Sequence, residues 1–588
     1  MNQSDNNSLL MLLFFTIPAY IIFLAVYRSK VPQKLYPIII FLISISLLLV
    51  TALRSNHILG SDVHDLYYYF QLTSESGLWK QFFKGLTETC MSTTVLPTVY
   101  NSLLNINPEL LFKVLFPVLF SISPLVVYII ARKYIGAFYA FLASFFFMSQ
   151  VIFLQTSLAN STNMAILFVA LSIMALLNDD ISEYARKLLF IVFVISCILS
   201  HYSTSFIFFF ILLLTWFGIE VILRISIRGK KLIPSTGEID AGQSPSGTLL
   251  DNSPPENNDD TSRVTDAKAP VPRLRKGITL SLIVLVFTII FFWYGQITVT
   301  PFEIGVGVIY KTLANLSEWY LLETKGTTIN AALGQNVSTI PQQIRVIVSW
   351  ITVAFIGIGV VGTMARYKKT VVIPGLDRLK ESFLHSKFEI TYMMMAISCS
   401  AILVLSTIVP FIMAFYSMER TYFQMMVVLS PFLVIGGLMI AKLLKTRPHW
   451  LILAVLVPFF LCTTGALYQV LGYPVSLILN SSGAEYKTWY LHDQDSYAAK
   501  WIKAYGKEHD TVFTYSWPGP RVLKSQAAIT SGRSRPLPDG SVSEGEKTSG
   551  YIYLRYNDII INELVIEYPL LFNQRNKVYT AGISEVYR

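Results

Sequence analysis

Charge is scarce in this sequence. Asp, Glu, Lys and Arg together make up 14% of its 588 residues, against roughly 25% in an ordinary soluble domain. Hydrophobic residues make up 53%. That imbalance excludes one large soluble core and fits a chain whose solvent is mostly lipid. Cysteine is scarce as well. Of Cys90, Cys197, Cys399 and Cys462, the last three fall inside apolar runs, so neither a disulfide framework nor a CxxC-type metal site is implied. The net charge of +10 would suggest nucleic acid in a soluble protein. Here its distribution matters more than its sum, and no nucleic-acid partner is expected. The N-terminal MNQSDNNS has no positive charge, which argues against a secretory signal peptide, whose first region is basic. Ionisable residues are almost absent from the apolar runs; Lys113 and Glu220 lie near run ends. Ion-coupled transporters and proton pumps usually keep carboxylates or His in mid-membrane, so this absence counts against them.

What is present is a series of apolar runs near 9–27, 36–53, 110–131, 136–154, 163–177, 188–200, 205–223, 277–298, 346–365, 390–415, 421–443 and 449–471. A span needs about 20 apolar residues, so the run 188–200 is short and either extends through His201 to Thr204 or is a broken helix. The expected fold class is a polytopic α-helical membrane protein of about 12 transmembrane helices with a small C-terminal extracytoplasmic α/β domain. Lys and Arg orient the set, because short cytoplasmic loops collect them. With residues 1–8 outside, the inner loops hold Arg28, Lys30 and Lys34, then Arg132 and Lys133, then Arg186 and Lys187. The later ones hold Arg366, Lys368 and Lys369, and Lys442, Lys445 and Arg447. The outer loops 155–162 and 201–204 hold none. Six Asn-x-Ser/Thr sequons, starting at Asn2, Asn6, Asn160, Asn315, Asn336 and Asn480, all fall on the outer side of that arrangement. A cell-membrane location with the N-terminus and the C-terminal domain extracytoplasmic is therefore expected, with membrane lipids as surroundings.

Two units follow: a transmembrane domain over 1–472 and an extracytoplasmic soluble α/β domain over 473–588. Within the first, 225–276 is rich in Ser, Pro, Gly, Asn and Asp and reads as a disordered cytoplasmic loop. The outer loop 54–109 contains Leu78, Trp79, Phe82, Phe83 and Leu86, a spacing that predicts a helix lying in the membrane interface. The outer loop 299–345, with Trp319 and Tyr320, is expected to form a flap. In the second unit, SYAAKWIKAYG predicts a helix with Ala498, Trp501, Ile502 and Tyr505 on one face and Gly506 as its C-cap. Residues 510–515, 550–556 and 576–582 predict strands. This unit has no Gly-rich phosphate loop and no nucleophile elbow.

Polar residues collect instead at the outer ends of the spans. The first group is GSDVHDLYYYF, residues 60–70. In a helix Asp62 and Asp65 share a face. A carboxylate there could take a proton from an attacking hydroxyl, with His64 beside it, or hold a divalent cation such as Mg or Mn. The plainer reading is an N-cap by Ser61 or Asp62. The second group is SHYSTS, residues 200–205, where His201 could bind a phosphate with Tyr202 in support, or where the segment is merely a capped turn. The third is MERTY, residues 418–422, with the sole basic residue of a short outer turn, Arg420. A guanidinium suits bidentate phosphate binding. A local pair with Glu419 or an interface anchor is the alternative.

These stretches resemble the GT-C class of membrane glycosyltransferases, and more narrowly a family of archaeal multipass proteins assigned to that class. The resemblance rests on GSDVHDLYYYF, TVLPTVYNSLLNINPELLFKVLFPVLFSISPLVVY, SHYSTS, MERTYFQMMVVLSPFLVIGG and NKVYTAGISEVY, and spans most of the chain apart from 225–276. It implies transfer of a sugar from a polyprenyl-phosphate-linked donor to an extracytoplasmic glycan, protein or lipid acceptor. It implies Asp62 as the loop acid, with His64 and Asp65 beside it. Arg420 and His201 would bind the lipid phosphate, with Tyr202 and Glu419 supporting the site. The family usually places a Glu two residues after the loop histidine; that position is Leu66 here, and Asp65 stands one place earlier. A transporter, a lipid or oligosaccharide flippase, and a polysaccharide polymerase or ligase are the competing readings.

Overall fold

The computed structural model describes residues 6–155, 160–231, 277–321, 327–335, 337–372, 381–412, 416–515, 518–530, 532–537, 550–560, 572 and 575–588. Each of the twelve apolar runs carries a helix. Among the described residues, nine helices are long and apolar enough to cross a membrane. The other three runs differ for local reasons. The run 136–154 is cut at Gln150, whose backbone is extended, leaving Ala137–Met148 and the short Val151–Leu154. The run 188–200 starts earlier than expected and forms Glu183–Ser200, a helix with Glu183, Arg186 and Lys187 in its first turns. Its far end is sharp, because His201 is extended (φ −160°, ψ 125°) and separates it from the next helix. The last run forms Pro448–Thr463, of 16 residues.

Three other expectations need correction. The helix Tyr202–Lys231 continues seven residues into the segment expected to be disordered, since no Pro interrupts it before Pro234; residues 232–276 lie outside the described residues. The run 390–415 ends as Ile390–Ile408, because Pro410 pushes Val409 into extended backbone. Residues 78–86 form no interfacial helix. Gly77 turns left-handed (φ 67°) and stops the preceding helix, and Lys84 is left-handed as well. The segment is instead a loop pinned from within. Glu88 accepts from the backbone N–H of Phe83 and Gly85, and Trp79 stacks on Trp293 at 5.4 Å.

The loops that carry the basic residues meet one another at one end of the bundle. Arg28 meets His449 at 3.3 Å, Lys133 reaches Asp179, and Glu381 lies beside Lys442 and Arg366. The other end carries the soluble domain. Asn7, before the first span, donates to the carbonyl of Leu479, and Arg54, after the second, reaches Leu477, Asn480 and Ser481 while lying over the rings of Tyr486 and Tyr490.

The soluble domain is a five-stranded sheet with β1 Thr511–Thr514, β2 Ser534–Pro536, β3 Gly550–Leu554, β4 Lys577–Thr580 and β5 Glu585–Tyr587. The order is β2-β1-β3-β5-β4, with β2, β1 and β3 mutually parallel and β5 and β4 antiparallel additions. Three strands and the helix Asp493–Tyr505 were expected; β2, β5 and the helix Gly519–Ala527 were not. Alternation along the strands makes two cores. Val512, Tyr551 and Tyr553 face Ala498, Ile502, Val522 and Leu523, whereas Phe513, Ile552 and Leu554 face Leu537 and Phe572. Gly506 is the C-cap as expected, in extended backbone (φ −76°) and donating to the Ile502 carbonyl, and Tyr505 lies beside Trp501 but is exposed. A parallel pair needs a crossover, and Gly519–Ala527 is the crossover from β1 to β2.

In the membrane part the 27-residue helix Met418–Leu444 is the central post, buried along most of its length. It crosses Ile340–Ala365 where Gly436 and Gly359 face each other. A Cβ on either would overlap the backbone of Phe355 or Phe432. Small residues of this kind let membrane helices touch backbone to backbone. Gly357, on the same helix, faces open space. Gly436→Val is therefore expected to lower the melting temperature in detergent, by overpacking of about 1–3 kcal/mol or more, while Gly357→Ala leaves it unchanged.

Candidate functional site

The acidic helix Asp62–Ser76 follows the second span. Its apolar side, Val63, Leu66, Tyr67 and Phe70, is buried against Phe112, Phe116 and Met164 of the membrane helices. That packing fixes which way the remaining side faces. Asp62 and Asp65, one turn apart as the spacing predicts, turn toward the soluble domain. Ser61 makes no side-chain cap to the helix, so the capping alternative is not what this segment does.

Three cations meet the two carboxylates. Arg420, in the first turn of Met418–Leu444, donates from Nη2 to Asp62 Oδ2 at 2.5 Å. Arg521, on the crossover helix of the soluble domain, donates from Nη1 to Asp62 Oδ1 at 3.2 Å and to the Ser61 hydroxyl. Its Nε lies 3.8 Å from Asp65 Oδ2. Lys524, one turn further on, donates to Asp65 Oδ1 at 2.6 Å and to the Tyr69 hydroxyl at 3.2 Å, and lies over the Tyr69 ring. Burial pushes the Asp62 carboxyl up, but Arg420 and Arg521 beside it, with His201 further off, outweigh burial and hold it below the usual carboxylate range. The Asp62 side chain remains 32% exposed and those of Arg420 and Arg521 27%. Ion pairs this open contribute about 1 kcal/mol or less to stability. Their significance lies in what they can exchange with.

The other expected residues lie behind this rim. His201 is buried at the break between two helices. Its Nδ1 meets the Thr204 hydroxyl at 3.0 Å and its Nε2 lies 3.4 Å from that of Thr162. The ring stacks on Tyr202 at 4.6 Å, and Thr204 continues to the Tyr416 hydroxyl at 3.1 Å. Gln424, one turn along the helix from Arg420, donates to the Thr204 carbonyl. His201 thus braces the segment from which Arg420 projects and does not itself reach the rim. Glu419 sits half-buried in the same first turn as Arg420. His64 is in the packed contact between the two parts, with Nδ1 2.7 Å from the Ser525 hydroxyl of the crossover helix.

Arg521 and Lys524 were missed by sequence reasoning. Their three-residue spacing in PGPRVLKSQ matches that of Asp62 and Asp65, but nothing in the sequence placed a helix there. A divalent cation at Asp62 would have to displace both guanidiniums, so the residues as arranged fit an anion better than a metal. Among the described residues, no group of three or more His, Cys, Asp or Glu side chains is gathered as a metal site. Two cavities of about 350 and 370 Å³ lie elsewhere. One is lined by Arg28, Arg447, His449 and Trp450, the other by Asn6, Asn7, Gln469 and Asn480.

A bundle of apolar helices, capped at one end by an α/β domain that shares an acid–base cluster with it, defines a multipass membrane protein with a composite polar site. More narrowly, a family model described as "Predicted membrane protein (DUF2206)" matches residues 186–586, and the chain belongs to that family. Among solved structures, the chain is similar to the crystal structure of ArnT from Cupriavidus metallidurans bound to undecaprenyl phosphate. Identity is 11%, coverage 94% of this chain and 97% of that one, and the TM-score 0.47. No curated protein matches the chain.

The buried His64 makes the contact sensitive to acid. Burial first, then the nearby Arg555, pushes its imidazole down to about 3 from the ordinary 6.5. Above pH 6.5 it is neutral folded or unfolded. Between 6.5 and about 3 only the unfolded chain takes the proton, so stability falls as pH falls. Urea unfolding of the purified protein should show that decline, and His64→Gln should flatten it.

Proposed function

We propose that this protein is a membrane glycosyltransferase of the GT-C kind, moving a sugar from a polyprenyl-phosphate-linked donor to the hydroxyl of an extracytoplasmic glycan, protein or lipid acceptor. The observation that supports this most is one carboxylate, Asp62, held partly exposed at the end of the helix bundle and shared with the guanidinium of Arg420. A base and an anion-binding cation thus stand side by side where a lipid-borne phosphate and a water-borne hydroxyl could both arrive.

In the proposed reaction the acceptor oxygen attacks the anomeric carbon as its bond to the carrier phosphate breaks. The electron pair leaves with the phosphate, and direct displacement inverts the anomeric centre. Asp62 takes the acceptor's proton. Arg420 stabilises the charge gathering on the leaving phosphate. His201, through Thr204 and Tyr416, keeps the base of that turn in place, and Glu419 and Tyr202 border it. The site belongs on the extracytoplasmic side because the basic loops gather at the far end of the bundle.

A non-catalytic docking role is the second reading. It is favoured by the closed state of both acid–base clusters. Proteoliposomes supplied with polyprenyl-phosphate-linked sugars separate the two. Asp62→Asn should reduce transfer by roughly 10²–10⁴-fold at unchanged expression and folding. Transfer undiminished in that variant would remove Asp62 from the chemistry. No transfer by the wild type from any such donor would favour docking.

A further inference from the structure

The soluble domain does more than cover the site. It inserts two of the three cations. We propose that Arg521 and Lys524 complete the binding site for the carrier phosphate, and that Asp62 and Asp65 hold them in reserve until the phosphate's charge rises. This inference rests on the glycosyl-transfer reading above and adds which residues bind the product and how they are released.

The topology supports an anion site here independently of the salt bridges. Strand β1 is flanked by β2 on one side and β3 on the other, all parallel. The chain leaves β1 in one direction and later returns on its other side. Open α/β sheets bind ligands outside the carboxyl end of such a strand. The crossover helix starts at that end, with Gly519 packed so closely on Thr514 that a Cβ would crowd it. Arg521 lies in the first turn of this helix, close to that end of the strand. Rotating the soluble domain away would remove Arg521 and Lys524 together, since both lie on one face of one helix.

The charges then couple the two halves of the reaction. In the resting site three cations face two carboxylates. A polyprenyl-phosphate-linked sugar is a phosphodiester with one negative charge; the released polyprenyl phosphate carries up to two. As the glycosyl bond breaks, the phosphate gains a charge, and at the same step the acceptor's proton neutralises Asp62. The guanidiniums of Arg420 and Arg521 lose one anionic partner as another appears within reach. Interactions that strengthen only as the bond breaks accelerate the chemical step. The same exchange holds the product until Asp62 loses its proton to solvent, whereupon the carboxylate competes for its guanidiniums again and helps expel the lipid.

The test measures binding of a fluorescent polyprenyl phosphate to the full-length protein in nanodiscs, with the uncharged polyprenol as control. Arg521→Ala and Lys524→Ala should each weaken phosphate binding by roughly tenfold to a hundredfold and leave polyprenol binding unchanged. A merely structural role would move both probes together. Asp62→Asn, which imitates the protonated acid, should bind the phosphate on the order of tenfold more tightly, even as its transfer of sugar falls. Unchanged phosphate binding in both cation variants, or weaker binding in Asp62→Asn, would overturn the inference. Loss of transfer in Asp62→Asn would still leave the glycosyl-transfer reading standing in that case. Should Arg521→Ala fail to fold, Arg521→Gln and Lys524→Ala carry the measurement.

Discussion

One carboxylate shared by two guanidiniums holds the two parts of this molecule in register. Each group would be poorly placed alone. Arg420 sits at the N-terminal end of a long helix, where the macrodipole favours an anion. Asp62 lies at the boundary of an apolar bundle, and Arg521 projects from another domain. Together they satisfy one another. The contact also sets how the soluble domain meets the membrane part, because the same crossover helix brings Lys524 to Asp65, Ser525 to His64 and Gln526 to Glu109. Individually these pairs are weak. Collectively they specify one docking geometry out of many.

The membrane part supplies the fixed side of that geometry. Its interior is built from apolar contacts and from one close backbone crossing at Gly359 and Gly436. Such a crossing has almost no freedom to slide, because the carbonyls of Phe355 and Phe432 already fill the space a side chain would use. The post that carries Arg420 is therefore rigid. Of the three cations, the two that could move away from the carboxylates without disturbing the bundle are those of the soluble domain.

Much of this was legible in the residues. The apolar runs located a helix in every expected place, and the alternation of DTVFTY and GYIYLRY located two central strands. The pairing of Asp62 with Asp65 followed from helical spacing. The failures were equally physical. Leu78, Trp79, Phe82 and Phe83 fit an amphipathic pattern, but Gly77 and Lys84 adopt left-handed backbone that no helix continues through. His201 read as a candidate phosphate ligand because it is polar at a turn; only its contacts with Thr204 and Thr162 show that it is enclosed. Arg521 and Lys524 were invisible because their significance depends on partners 459 positions away. Periodicity reports a residue's own element, not what that element will meet.

That separation along the chain has a consequence for biosynthesis. A polypeptide is made and inserted from its N-terminus, and domains fold as they emerge. Asp62 enters the membrane boundary early, and Arg420 joins it only after most of the bundle has been threaded. Arg521 and Lys524 lie on a crossover helix whose sheet needs β5, made later than the other four strands, to join β4 to β3. The polar cluster is thus completed only after the bundle it rests on. A chain halted before its final strands would hold a finished bundle with Asp65 still awaiting its lysine.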